Sequence, residues 1–167
     1  IVGWEMCKRE RVKEKTGTFT VWGTTPSYDL ETAGEETFPT AHISEELLHK
    51  TTEQFMGEIQ QKPPIFSAIK KDGKRLYELA RKGETTEIKE RTVTVSKFEI
   101  TKINLPEVAC RIVCSKGTYI RSIAFDYGKA LNSGAHLSAL RRVQIGDFSV
   151  DDAFSVEEFI ENLKGSV

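Results

Sequence analysis

From Thr92 to Cys114 apolar and polar residues alternate along two runs broken at Pro106, so each run can bury only one of its faces. Val93, Val95 and, after one slip in the alternation, Phe98 and Ile100 make the first apolar face, and Val108, Cys110, Ile112 and Cys114 make the second. Two adjacent strands of period two predict a hairpin, and a hairpin with one apolar face needs a core packed against it. Thr16 to Val21 predicts a further short strand, and Leu137 to Val150 is strand-like. Helical spacing appears elsewhere. Ser44 is placed to cap a helix carrying Leu47, Leu48, Phe55 and Met56, with Gly57 as its stop. Lys74 to Lys82 predicts a short basic helix ended by Gly83, and Gly117-Thr118 starts another with Ile120, Ile123 and Ala124 inward. Ser155-Val156-Glu157-Glu158 is a capping box leading to Gly165. Strands and helices mix without strict alternation, which predicts an α+β fold on a mostly antiparallel, mixed sheet flanked by helices. Neither a repeat nor an interdomain linker appears, so residues 1–167 are expected to form a single domain.

Charge is distributed unevenly behind a net value of −1, from 24 Lys and Arg against 25 Asp and Glu. Thr25 to Gln60 holds eight acids against Lys50 alone. Lys62 to Lys82 holds seven bases against two acids, and Lys116 to Arg142 five bases against one. Two basic blocks joined by strand sequence can fold into one positive surface that fits a polyanion; two separate solvated faces are the alternative. No apolar run reaches the length of a membrane span, and Ile1-Val2-Gly3-Trp4-Glu5 lacks the order of a secretory signal, so a cytoplasmic protein is expected. Cys7, Cys110 and Cys114 are odd in number and lack zinc or dithiol spacing, and His42, His49 and His136 are scattered. No metal is assigned. Neither common Gly-rich phosphate loop occurs, and no cofactor is expected.

Two segments carry the candidate chemistry. In Cys114-Ser115-Lys116-Gly117-Thr118-Tyr119-Ile120-Arg121 a strand end, a glycine turn and a helix start fall within eight residues, aiming free backbone N–H groups and the charges of Lys116 and Arg121 at one place. Tyr119 suits stacking on a ligand while Arg121 holds a carboxylate or phosphate; half-buried packing for Tyr119 and a structural ion pair for Arg121 are the alternative. The second segment, Gln60 to Gly83, joins a stiff Pro63-Pro64 entry and an aromatic to a lysine cluster and a basic helix, which suits an arm gripping a phosphate backbone. A surface helix packed by Leu76 and Leu79 is the plainer reading.

The runs Pro-Pro-Ile-Phe-Ser-Ala-Ile-Lys, Gly-Lys-Arg-Leu-Tyr-Glu-Leu-Ala-Arg-Lys-Gly and Cys-Ser-Lys-Gly-Thr-Tyr-Ile-Arg, followed by Gly134 to Arg142, resemble in order the TruB family of tRNA pseudouridine synthases. The resemblance covers about Thr16 to Leu163. It implies a pseudouridine synthase catalytic-domain fold. It also implies isomerisation of the T-arm uridine of tRNA (uridine-55) without cofactor or metal, and tRNA as partner. By the same resemblance Tyr119 contacts the everted nucleotide, Arg121 pairs with the catalytic aspartate and Leu140 lines the uracil pocket. Residues from about 62 to 91 form an RNA-gripping thumb, with Pro64, Phe66, Ser67, Lys70, Lys74 and Arg75 on the RNA, joined by Lys116 and Arg141. A monomer is expected.

The resemblance has two departures. The Gly-Thr-Leu-Asp-Pro string that holds the family's aspartate does not occur, and Lys15 stands where a tyrosine is expected. Asp29, in Thr-Thr-Pro-Ser-Tyr-Asp, matches another family position and is not assigned as nucleophile. These departures imply an incomplete catalytic domain with a segment missing near residues 14–16, and no appended RNA-binding domain is expected beyond Val167. Two other readings stay open: a tRNA-binding or tRNA-chaperone module without chemistry, and an unrelated scaffold whose basic patches bind an acidic protein.

Overall fold

The computed structural model describes residues 12–67, 69–71, 74–83 and 87–164. Its centre is the expected hairpin of β7 (Arg91–Asn104) and β8 (Glu107–Ser115). The slip in the alternation is a register shift between Val95 and Lys97, and a second shift falls between Ile100 and Lys102. Each sets an extra residue against the partner strand and so restores the apolar face. β1 (Val12–Val21) is longer than the alternation suggested and lies between β8 and β9 (Ala135–Ile145). It runs unbroken through residues 14–16, with a register shift against β9 between Glu14 and Lys15. β4 (Gly57–Gln61) extends the sheet beyond β7, and β10 (Phe148–Ser149) pairs with the end of β9. The order is β10-β9-β1-β8-β7-β4 with every pairing antiparallel.

The buried face of this sheet carries Phe19, Val21, Val95, Phe98, Val108 and Ile112, and two helices cover it: α1 (Glu45–Thr52) and α3 (Ile120–Ala130). Between them in chain order comes α2 (Leu76–Arg81), the helix of the basic arm. Tyr127 of α3 is fully buried among the rings of Phe98, Phe19 and Phe55, with centroids 5.5, 5.8 and 6.0 Å away. Its hydroxyl donates to the Leu48 carbonyl at 2.8 Å, so the polar tip is satisfied inside the core. Cys110 and Cys114 are buried on this face as expected, and burial pushes the Cys110 thiol up to about 12. Cys7 lies outside the described residues.

Several boundaries differ from the sequence expectation, each for a packing reason. Ser44 accepts from the Leu47 amide at 3.1 Å, but α1 ends at Thr52. A 3-10 turn over Glu53–Phe55 then brings the Phe55 ring onto the core, and Gly57, at φ +83°, opens β4 instead of closing the helix. In the arm, α2 starts at Leu76 because Lys74–Arg75 (β6) pairs with Lys70–Lys71 (β5). The acidic loop after β1 holds a small hairpin of β2 (Gly23–Thr24) and β3 (Glu36–Thr37). The capping box forms as read: the Ser155 amide donates to Glu158 Oε2 at 2.7 Å and the Glu158 amide to Ser155 Oγ at 3.2 Å, opening α4 (Val156–Lys164). Gly165, its expected stop, lies outside the described residues.

α3 crosses the start of β9 backbone to backbone. A Cβ at Gly128 would collide with the backbone nitrogen of Ala135 and come within 2.6 Å of the Gly134 carbonyl carbon. Gly128→Ala must therefore push α3 off the sheet, with an expected loss of roughly 3 kcal/mol in urea unfolding; an unchanged midpoint would contradict this packing.

Candidate functional site

The helix start at the end of β8 is built differently from the sequence expectation. Gly117 takes φ +80°, which a side chain would resist, and Thr118 Oγ1 donates to the Ser115 carbonyl at 2.8 Å, closing the turn. α3 then begins at Ile120, two residues after the expected Thr118, with Tyr119 extended at φ −91° and ψ 109° and no side-chain cap. The cause is Gln61 at the end of β4. Its Oε1 accepts from the Tyr119 amide at 2.8 Å and its Nε2 donates to the Tyr119 carbonyl at 3.0 Å, a pairing that extended backbone satisfies. Lys15 Nζ donates to the Thr118 carbonyl at 3.2 Å.

Arg121 follows within the first turn of α3. Its Nη1 donates to Asp29 Oδ2 at 3.0 Å and its Nη2 to the Phe66 carbonyl at 2.9 Å. Asp29 is itself held: Oδ1 accepts from Ser27 Oγ at 2.6 Å and from the Glu31 amide at 2.9 Å. The preceding residue, Tyr28, sits at φ +64°, an uncommon conformation for a side chain of its size, with its ring stacked 4.1 Å from that of Phe125. This anchorage directs Asp29 toward Arg121.

Beside the pair opens a concavity of about 360 Å³, lined by Asp29, Leu30, Glu31 and Arg121 and by Leu137 to Leu140 of β9. Arg121 and Leu140 therefore line one cleft, and Leu140 is 50% exposed. Tyr119 is not among the lining residues. Its ring lies 5.9 Å from the Arg91 guanidinium, because an extended residue before the helix leaves the backbone in another direction from Arg121. Arg121 is paired by Asp29, not by a carboxylate of the expected motif. Phe66 enters through its carbonyl, while Pro64 is buried. Ser67 is buried too, with its Oγ free of a hydrogen-bond partner among the described residues. Lys116 and Arg141 are exposed, and Arg141 lines an adjoining groove that shares Ala139 and Leu140 with the cleft. The side chains of Lys70, Lys74 and Arg75 lie outside the described residues. Across the cleft mouth, Arg81 of α2 reaches Glu31 at 3.4 Å.

Gln61 and the ordering role of Asp29 escaped the sequence reading. Their partners are 58 and 92 residues away, and neither lies in a spacing pattern. The one signal for Gln61 was its place at the end of an extended run, just before two prolines. Lys15 was visible as a departure. It is 7% exposed, on the core face of β1, and burial pushes its ammonium below the usual lysine range; the Cys114 thiol opposes this, and Arg142 and Lys13 reinforce it. A lysine with a lowered pKa in the folded state binds its proton more weakly there than in the unfolded chain. Stability thus rises with pH between that lowered value and the ordinary lysine value near about 10.4. Lys15→Met removes this dependence. The variant is expected to melt above the parent at neutral pH, with the gap in Tm narrowing toward about pH 10; a gap that stays constant with pH would contradict burial of the ammonium.

Residues 5–120 match the TruB family pseudouridylate synthase N-terminal domain, and residues 121–164 match the tRNA pseudouridylate synthase B C-terminal domain. The tRNA pseudouridine synthase B of Flavobacterium johnsoniae is 62% identical over 154 residues, covering 92% of this chain and 67% of the relative. That of Phocaeicola vulgatus is 52% identical over 149 residues, covering 89% and 63%. The chain thus spans about two thirds of the length of these relatives. Among solved structures, a chain of a Cbf5-Nop10-Gar1 complex superposes with a TM-score of 0.65 at 26% identity, covering 91% of this chain and 36% of that one.

Proposed function

Because this chain belongs to the TruB family of pseudouridylate synthases, we propose that it serves the isomerisation of the T-arm uridine (uridine-55) of tRNA to pseudouridine. The observation that carries the reading is the shared cleft of Arg121 and Leu140. Eversion of a uridine costs a few kcal/mol of stacking, which contacts along the basic arm and β9 can offset. In the cleft, Leu140 offers an apolar wall to the pyrimidine, and the exposed Arg141, in the groove that adjoins it, lies where a flanking phosphate can be neutralised. The reaction is an isomerisation. The N1–C1′ bond breaks, the base turns, C5–C1′ forms, and the proton lost from C5 is matched by one gained at N1, so no oxidant, reductant or cofactor enters the balance.

Arg121 supplies a fixed positive charge, oriented by Asp29 and the Phe66 carbonyl, beside the place where the glycosidic bond is cleaved. We assign the nucleophilic carboxylate to none of this chain's residues. Both oxygens of Asp29 are engaged. Relatives extend beyond the chain by about a third of their length, and we place the family's aspartate motif in a segment that in them falls near residues 14–16. The engagement of Arg121 by Asp29 favours a second reading, a tRNA-binding or tRNA-chaperone module that holds the T-arm without turnover.

Tritium release by the full-length protein from tRNA transcripts labelled at uridine C5 separates the two readings. Release that requires uridine-55 is the result expected of the enzyme, whereas salt-sensitive binding without release identifies the module. In the full-length protein Arg121→Ala is expected to abolish measurable turnover, a loss of at least roughly 10³-fold, while tRNA binding stays nearly intact. Turnover at the parent rate would reject the role given to Arg121.

A further inference from the structure

Gln61 stands at the point where the basic arm leaves the sheet. It is the last residue of β4 and only 1% exposed, and the chain beyond it runs through Pro63 and Pro64 toward the arm. A buried primary amide is costly unless both its ends are bonded, and here both ends are spent on one residue, the backbone of Tyr119. The arrangement substitutes for a missing strand pair. Pro63 and Pro64 have no N–H to continue the β ladder, and just before these missing donors the Gln61 side chain supplies both a donor and an acceptor to the backbone of Tyr119. Tyr119 in turn has no side-chain cap, and its carbonyl also receives the Ile123 amide at 3.2 Å, the first bond of α3.

The same seam continues along both segments. Ser122 Oγ donates to the Lys62 carbonyl at 2.8 Å, and Arg121 Nη2 donates to the Phe66 carbonyl at 2.9 Å. Residues 61–66 are thereby joined to 119–122 at three successive points, with Gln61 at the anchored end. We propose that Gln61 is a positioning residue, which through the Tyr119 backbone fixes the first turn of α3 and hence the direction of Arg121 into the cleft. It touches no substrate. It sets the geometry of the side chain that does, and it ties that geometry to the root of the arm. Without it, Tyr119 is free to enter the helix, and Arg121 turns away from Asp29 and the cleft.

This assignment rests on the role proposed above for Arg121 only where turnover is measured, so it is tested by two measurements on the full chain. The first is amide exchange and arginine side-chain NMR on Gln61→Met, which keeps length and apolar packing but loses both bonds, and on Gln61→Glu, which keeps the acceptor alone. The Tyr119 amide is expected to exchange about tenfold faster in Gln61→Met and by a smaller factor in Gln61→Glu, with a shift of the Arg121 Nε–Hε signal. Unchanged protection of Tyr119 overturns the proposal, and so does an equal acceleration across β1 and β8, which marks general destabilisation. The second is steady-state kinetics on tRNA with the same substitutions in the full-length protein that carries the aspartate motif. Gln61→Met is expected to lose roughly 10²-fold in kcat with KM within about twofold, whereas a loss confined to KM overturns the proposal. Absence of turnover in the full-length protein that carries the aspartate motif removes the enzyme reading while the NMR measurement still decides for or against Gln61.

Discussion

The close approach of α3 to the start of β9 governs the molecule. Position 128 has no side chain, so the helix rests its backbone on the Gly134–Ala135 corner, and Tyr127 beside it fills the space between sheet and α1. That approach brings the first turn of α3 alongside Leu137 to Leu140, and the cleft is the space left between them. The packing of α3 and the shape of the cleft are therefore one fact seen from two sides. An interior at native density cannot shift the helix without reshaping the recess above it.

Within that frame the charged groups are arranged to hold one guanidinium still. The planar fork of Arg121 divides its donors between Asp29 and a backbone carbonyl of the arm, and Asp29 is fixed by Ser27, by the Glu31 amide and by the left-handed Tyr28 before it. The acidic loop and the basic arm thus meet at the cleft, and the exposed Arg81–Glu31 contact joins them again at its mouth, where solvent keeps such a pair weak. The segregation of charge along the chain has a structural counterpart: the acidic block supplies the carboxylate that orients the arginine, and the segment that carries the basic block supplies the Phe66 carbonyl.

Lys15 and Gln61 complete the floor beneath Tyr119. Both are polar groups taken out of water and both bond the backbone of the 118–119 turn, yet they differ in cost. The amide of Gln61 has its donor and acceptor ends matched, whereas the ammonium of Lys15 is held against a single carbonyl and its charge is disfavoured by burial. The turn that launches α3 is accordingly held by two matched bonds on the Gln61 side and by one bond from a charge that burial disfavours on the Lys15 side.

The amino-acid sequence by itself determined the elements whose partners are near in the chain. The β7–β8 hairpin follows from period-two alternation, and the α4 cap from Ser155 and Glu158. The burial of Cys110 and Cys114 follows from their common strand face. The family was legible as well, because its motifs are contiguous strings, and those strings marked Arg121 and Leu140, which share a cleft. Only the tertiary structure decided that α3 starts after Tyr119, that Gly57 opens a strand, that Asp29 is the partner of Arg121 and that Tyr119 faces Arg91. Each of those outcomes depends on a group brought in from a distant part of the chain. Local periodicity reports which face of an element is apolar, but a hydrogen bond between residues 58 or 92 positions apart exists only once the sheet has set its strands side by side.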